Sequence, residues 1–177
     1  TGKASARVAH LLEGLAAVFA DPDRGRFVDA TGGTCPDCPI AGDLDDPSGV
    51  WTDGTRVAVA DTGNNRVLIW TSFPTPNKQP ANLVLGQQGF GMSGVPTTPT
   101  AATMRAPQTV YSDGTRLYVV CEHSDSLIVL DAETGSRLGE IPVGRRPFGV
   151  APNPDGDRLY VSNRLSQTVS VIDAKEL

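Results

Sequence analysis

Apolar and polar positions alternate along this chain in short runs bounded by Gly, Pro, Asn or Asp, a period-two pattern that predicts half-buried β-strands. The runs are organised in repeats. Asp53-Gly54-Thr55-Arg56-Val57-Ala58-Val59 returns as Asp113-Gly114-Thr115-Arg116-Leu117-Tyr118-Val119 and as Asp155-Gly156-Asp157-Arg158-Leu159-Tyr160-Val161, at offsets of 60 and 42 residues. A weaker copy, Asp21-Pro22-Asp23-Arg24-Gly25-Arg26-Phe27-Val28, precedes them. Each strong copy opens with an apolar stretch (Gly49-Val50-Trp51, Thr109-Val110-Tyr111, Gly149-Val150-Ala151), turns at Asp-Gly and continues in β-branched or aromatic residues. The Asp-Gly pair predicts a tight hairpin, because its central residues need a positive φ that Gly adopts without strain. A third strand follows as Arg66-Val67-Leu68-Ile69-Trp70, Ser126-Leu127-Ile128-Val129-Leu130 and Thr168-Val169-Ser170-Val171-Ile172, and a fourth is predicted over residues 137–143.

Four antiparallel strands in about 42 residues make the unit of a β-propeller blade. The expected fold class is therefore all-β: a β-propeller of about four blades, or a four-blade portion of a larger propeller. The predicted division of the single domain, residues 1–177, begins with an outer strand at 1–13 that completes a blade and a degenerate blade at 14–44. A blade with inserts at 45–104, a blade at 105–145 and a last blade at 146–177 without its outer strand follow. The inserts, residues 71–80 and 89–103, are rich in Gly, Pro and Thr and are expected as solvated loops, with Asn82-Leu83-Val84-Leu85-Gly86 between them as an outer strand. Residues 1–13 have a rival reading, since Val8, Leu11, Leu12, Leu15 and Phe19 also follow helical spacing.

Composition narrows the function classes. Of the 177 residues 39% are hydrophobic, and 19 Gly with 14 Pro fit a chain of short elements and many turns. Fifteen Lys and Arg against 20 Asp and Glu leave a net charge of -5, which argues against a surface that tracks phosphates and against DNA or RNA as partners. No apolar run approaches the roughly 18 residues of a membrane span. Three cysteines are too few for a disulfide-built scaffold, so the core must come from packing.

Asp45-Asp46-Pro47-Ser48-Gly49-Val50-Trp51, with Val57-Ala58-Val59-Ala60-Asp61-Thr62-Gly63-Asn64-Asn65-Arg66-Val67-Leu68-Ile69-Trp70 and Ala81-Asn82-Leu83-Val84-Leu85-Gly86-Gln87, resembles an NHL repeat of the bacterial type. Residues 146–173, with Pro147-Phe148-Gly149-Val150-Ala151, Leu159-Tyr160-Val161-Ser162-Asn163 and Val169-Ser170-Val171-Ile172-Asp173, resemble the related YVTN repeat. The resemblance covers roughly residues 45–177 and speaks to fold more than to function. It implies an extracytoplasmic location, periplasmic or secreted, as in bacterial secreted relatives. Family members usually close rings of about six or seven blades, and this chain holds about four. Three arrangements follow: a portion of a longer propeller, which is preferred, a small closed ring, or half-rings that pair. Open blade edges favour self-association.

Cys35-Pro36-Asp37-Cys38 is the sharpest local feature. Covalent haem needs His directly after the second Cys, where Pro39 stands, and a thioredoxin-like role needs a helix there. A Cys35–Cys38 disulfide stapling the loop is the preferred reading, with Cys121 a buried or free thiol. The rival is a zinc set of Cys35, Cys38, Cys121 and His123. The segment from Asp61 to Arg66 reads as a turn in which Asp and Asn side chains satisfy backbone groups and Arg66 pairs with a carboxylate, with ligand contact as the alternative. Asp53, Asp113 and Asp155 are expected to begin hairpins. Gly144-Arg145-Arg146-Pro147 joins one blade to the next on the face of the inter-strand loops, so Arg145, Arg146, Glu122 and His123 are the partner-binding candidates.

No catalytic residue and no cofactor is assigned. No nucleophile has a plausible His and Asp partner, no glycine loop cradles a phosphate, and only His10 and His123 are present. The resemblance brings in propeller-type lyases and lactonases, whose central metal needs several His, Glu and Asp ligands. The expected function is a non-catalytic binding or scaffold module for another protein or an extracellular ligand. The alternative is a propeller-type lyase or lactone hydrolase with catalytic residues outside this chain, and a weaker one is a redox-accessory module.

Overall fold

The computed structural model describes residues 44–75, 79–93 and 103–177, together with the backbone of 27–28 and 34–35. Thirteen strands are present among these residues. β1 (Phe27–Val28) and β2 (Thr34–Cys35) form a two-stranded ribbon in which Phe27 faces Cys35 and Val28 faces Thr34. β3 (Pro47–Thr52), β4 (Val57–Asp61), β5 (Arg66–Trp70) and β6 (Leu83–Leu85) pair in that order as an antiparallel sheet, the first blade. β7 (Pro107–Ser112), β8 (Arg116–Cys121), β9 (Ser126–Asp131) and β10 (Arg137–Pro142) repeat the order as the second. β11 (Pro147–Pro152), β12 (Arg158–Asn163) and β13 (Thr168–Asp173) form a third sheet. Beyond two short 3-10 turns, at Glu122–Ser124 and Ala174–Glu176, the described chain has no helix. The fold is all-β and propeller-like: successive antiparallel meanders, two of four strands and one of three, packed face against face.

The hairpins form for the reason the Asp-Gly motif suggests. Gly54 and Gly114 have φ of 92° and 100°, and the Asp ahead of each accepts two main-chain bonds. Asp53 Oδ1 takes the N–H of Thr55 at 2.9 Å and of Arg56 at 2.7 Å, and Asp113 repeats both distances with Thr115 and Arg116. The third copy differs from expectation. Its turn is two residues longer, and Asn153, not Asp155, occupies the Asp position, accepting the Arg158 N–H at 2.9 Å. The shared Asp-Gly letters there are a register coincidence inside a longer loop.

Packing between sheets makes the core. Ala58, Val67 and Ile69 of the first blade meet Val110, Leu117, Val119, Cys121, Ile128 and Leu130 of the second. Tyr118, Val120, Leu127 and Val129 on the other face of the second blade meet Leu159, Val161 and Ile172 of the third. The remaining face of the first blade buries Val57, Val59, Leu68 and Trp70 beneath Phe73, Ala81, Val84 and Phe90. This corrects the expectation of purely solvated inserts. Phe73 and Phe90 belong to them, and the Trp70 indole donates to the Gln79 carbonyl at 2.8 Å, because an apolar sheet face needs cover.

Each innermost strand carries a β-bulge one residue after its first proline, at Ser48, Gln108 and Phe148. Proline is admissible there because it opens a strand at the edge of its own sheet. The bulges aim side chains and carbonyls across to the next blade. Ser48 Oγ donates to the Gln108 carbonyl at 2.8 Å, Thr62 Oγ1 to Pro107 at 2.5 Å, and Thr109 Oγ1 to Phe148 at 2.6 Å. A second lock recurs at the strand connections, where Asn65 Oδ1 accepts the Ala106 N–H at 2.9 Å and Asp125 Oδ1 the Arg146 N–H at 2.7 Å.

Candidate functional site

The turns between second and third strands gather at one end of the three blades with the connectors that lead into each first strand. Main-chain bonds tie them together. Gly63 N–H donates to the Asp45 carbonyl at 2.9 Å, His123 to Arg105 at 3.3 Å and Leu165 to Arg145 at 3.1 Å. Glu122 N–H donates to Ala106 at 3.0 Å and Arg164 to Arg146 at 2.9 Å. Asp46, Ala106 and Arg146 all stand at φ near 50°, so the connector bends the same way in every blade. Glu122, His123, Arg145 and Arg146 are thereby on this one loop face.

Between the first and second blades the face opens into a cleft of about 480 Å³. Asp46, Thr62, Gly63 and Asn65 line one side, and Ala106, Gln108, Glu122 and His123 the other. Glu122 is largely covered and fixed by two neighbours. Gln108 Nε2 donates to its Oε2 at 2.8 Å, and the Arg146 guanidinium lies 3.5 Å from its Oε1. The cleft thus presents a carboxylate whose position is set from two blades, beside an exposed imidazole. It can accept hydrogen bonds and contact polar groups; no nucleophile paired with a base is formed by these residues.

The Asp61–Arg66 segment closes on itself behind this face. Asp61 is fully buried and accepts the Asp45 N–H at 2.7 Å, the Asn64 amide at 2.9 Å and the Arg66 Nε at 2.6 Å. Both charged side chains of the ion pair are solvent-free, and Arg66 Nη1 also donates to the Phe90 carbonyl. Burial pushes the Asp61 carboxyl above its ordinary range, against the pull of the three donors. The equivalent cross-strand pair is Cys121 with Ser126 in the second blade and Asn163 with Thr168 in the third.

The cysteine readings divide. Cys121 is free and buried among apolar residues, and burial pushes its thiol up to about 12. His123, two residues on, lies on the exposed loop. Cys35 is described only as backbone at the end of β2, and Cys38 lies outside the described residues, as do residues 1–13. No group of three or more His, Cys, Asp or Glu able to hold a metal ion occurs among the described residues.

Sequence reasoning missed Gln108, Phe148 and Arg164. The bulge residue always contacts the residue after the second strand: Ser48 meets Thr62 at 2.5 Å, Gln108 meets Glu122, and Phe148 stacks under the Arg164 guanidinium at 4.9 Å. A signal was present, because the residue after Pro47, Pro107 and Pro147 changes in every copy although the proline does not.

No protein-family model matches the chain, and no curated protein matches it. Solved structures do. Hydrazine synthase of Kuenenia stuttgartiensis is 21% identical with a TM-score of 0.58, over 85% of this chain and 37% of that one. A candidate 6-phosphogluconolactonase from Bacteroides uniformis is 18% identical with a TM-score of 0.52, over 84% and 46% of the two chains. A candidate exported protein from Bacteroides fragilis is 15% identical with a TM-score of 0.52, over 78% and 37%. This chain spans less than half the length of each, and at these identities the likeness is one of fold.

Proposed function

We propose that the chain is a non-catalytic β-propeller module that binds another protein or an extracellular ligand through its loop face. One observation carries this reading. All three blades repeat the same backbone, yet the side chains at equivalent loop-face positions diverge: Asp45, Arg105, Arg145; Asp46, Ala106, Arg146; Thr62, Glu122, Arg164; Gly63, His123, Leu165. Positions that the blade needs recur, such as the opening prolines and the Asp or Asn of the first hairpin. The exposed members of this set, which differ from blade to blade and cluster at one end, are where a binding surface can be written. The finer family assignment to NHL and YVTN repeats, a bacterial extracytoplasmic setting and a place within a longer propeller are parts of the same proposal. Likeness to a candidate exported protein supports the location. Likeness to a candidate 6-phosphogluconolactonase keeps lactone hydrolysis as the competing reading.

The test combines two measurements on the chain as it stands. Photo-crosslinking side chains are introduced at His123 and Leu165 on the loop face and at Gly114 and Gly156 in the opposite hairpins, and adducts are sought in extracytoplasmic extract of the source organism. Adducts confined to the loop face are expected. Adducts from both ends alike, no adducts, or hydrolysis of 6-phosphogluconolactone with stoichiometric bound metal would overturn the reading.

A further inference from the structure

Resting on the loop-face reading, we infer that the cleft between the first and second blades takes a guanidinium group. The residues that line this space of about 480 Å³ offer hydrogen-bond acceptors more than donors. Asp46 stands on one wall and Glu122 on the other, with Gln108 and the exposed His123 beside Glu122. No Lys or Arg lines the cleft; Arg105 and Arg146 stand next to it in the chain or by contact.

The fold accounts for the corresponding residues of the first blade and not for these. Ser48 and Thr62 bond each other and fasten the seam, Ser48 Oγ donating to the Gln108 carbonyl and Thr62 Oγ1 to the Pro107 carbonyl. Their counterparts in the second blade, Gln108 and Glu122, bond each other inside one blade, Nε2 to Oε2 at 2.8 Å. Gln108 is only 8% exposed and lines the cleft, yet its Oε1 has no hydrogen-bond partner among the described residues. A covered amide oxygen without a donor is unfavourable until water or a ligand supplies one. The Glu122 side chain is 14% exposed, and its Oε1 meets only the Arg146 guanidinium at 3.5 Å, an ion pair that includes no hydrogen bond. The Asp46 carboxylate has neither an ion pair nor a hydrogen bond among the described residues.

Three acceptors from two blades thus face one space without a protein donor to satisfy them. A guanidinium pairs with a carboxylate through two parallel N–H bonds and keeps further N–H groups for the amide oxygen and the opposite carboxylate. An ammonium offers its three donors from a single point, and a neutral donor leaves both carboxylates uncompensated. Arg146, 59% exposed, competes for Glu122 from outside the cleft, the weak geometry of a surface pair.

The probe is a labelled Gly-Gly-Arg-Gly-Gly peptide capped at both ends and titrated at low and high salt, with citrulline, Lys or Glu in place of Arg as comparisons. The Arg peptide is expected to bind, less well at high salt, and to bind better than the other three. Glu122→Gln should weaken it about tenfold, the usual effect of losing one charge-assisted contact. Arg146→Asn removes the competitor and places at a φ of 50° a residue that adopts it readily. It should tighten binding about two- to fivefold, which a purely structural Glu122–Arg146 pair would not do. Glu133→Gln, the same charge change on the exposed turn beside Thr115 at the opposite end, should leave binding unchanged. Unfolding midpoints matching the parent chain show that the variants are folded. No binding of the Arg peptide, equal binding of the citrulline or Lys peptide, or weaker binding by Arg146→Asn overturns the proposal. Butylguanidinium added to the extract separates two sources of the same group: loss of the protein adducts at His123 assigns it to a partner's arginine, and unchanged adducts with butylguanidinium bound assign it to a small molecule. Loop-face crosslinks without Arg-peptide binding defeat this ligand class alone, and absence of crosslinks defeats the binding-module reading with it.

Discussion

Gly49→Ala tests the close backbone approach between the first two blades. A Cβ on Gly49 would lie 2.6 Å from the Gln108 carbonyl oxygen and 2.8 Å from the Thr109 Cα, both backbone atoms of the neighbouring blade. Ordinary contact begins at 3.4 Å, so the innermost strands of the first two blades must part by roughly 0.8 Å. Overpacking of that kind costs about 1–3 kcal/mol. The same separation stretches the Ser48–Gln108 and Thr62–Pro107 bonds, now 2.8 and 2.5 Å, adding about 1 kcal/mol for each one lost. Against this, replacing Gly stiffens the unfolded chain and returns about 0.4–1 kcal/mol. The net expectation is a loss of about 2–4 kcal/mol, or roughly 4–16 °C in the unfolding midpoint for a chain of this size. The internal control is Gly149→Ala, the same position in the third blade, where the nearest atom is the Ser162 hydroxyl oxygen at 3.3 Å. That change should be within about 0.5 kcal/mol of neutral. Both are read by thermal and urea unfolding followed by circular dichroism. A Gly49→Ala loss no larger than that of Gly149→Ala would refute the inferred tight seam between the first two blades.

Other expectations follow from buried charge, turn carboxylates and the core thiol. Asp61→Asn removes the carboxylate from the solvent-free Arg66 and should cost about 3–5 kcal/mol in urea unfolding, whereas Asp61→Asn with Arg66→Met should recover much of it; a single-variant loss under about 1 kcal/mol would contradict the buried pair. Asp53 is held at about 2 instead of 3.8, chiefly by the Arg56 N–H. Asp113 is lowered as hydrogen bonds from Arg116 and Thr115 outweigh burial, Asp131 by Thr134, and Asp157 by the Asn153 amide. Because these folded values lie below the unfolded ones, their stabilisation is present above about pH 4 and drains away as pH falls towards 2. Asp61, shifted upward, works in the opposite sense. Urea midpoints that hold constant or rise from pH 5 to about 2 would contradict the turn assignments. With Cys35 and Cys38 changed to Ser, the buried Cys121 thiol, pushed up to about 12, should resist a thiol reagent at pH 8 and react at once in denaturant; rapid native labelling would place it outside the core.

Much of the fold was legible in the chain. The third strands begin at Arg66, Ser126 and Thr168 as the apolar runs suggest, and β10 starts at Arg137. The first strands are longer than the apolar stretches that open each copy, running from Pro47, Pro107 and Pro147, because an edge position tolerates an opening proline. The third hairpin was misread for a different reason. Asp155-Gly156 copies the letters of the motif, but the side chain that closes the turn is Asn153, and only the register of β11 on β12 reveals it. The site was half legible. Glu122, His123, Arg145 and Arg146 stand out by their charge on loops, whereas the contacts of the bulge residues Gln108 and Phe148 with Glu122 and Arg164 are set only by the register of the strands.

By itself the sequence determined what depends on residues a few positions apart: alternation that makes strands, Asp and Gly that make hairpins, and a repeat that makes blades. Tertiary structure decided which side chains of different blades meet. Ser48 reaches Gln108, Thr109 reaches Phe148, and Arg146 reaches Glu122 across separations of 60, 39 and 24 residues. Such contacts are set by how closely two sheets can pack and by where a bulge turns the chain. No local period encodes that distance, and so the loop face appears only when the blades are laid side by side.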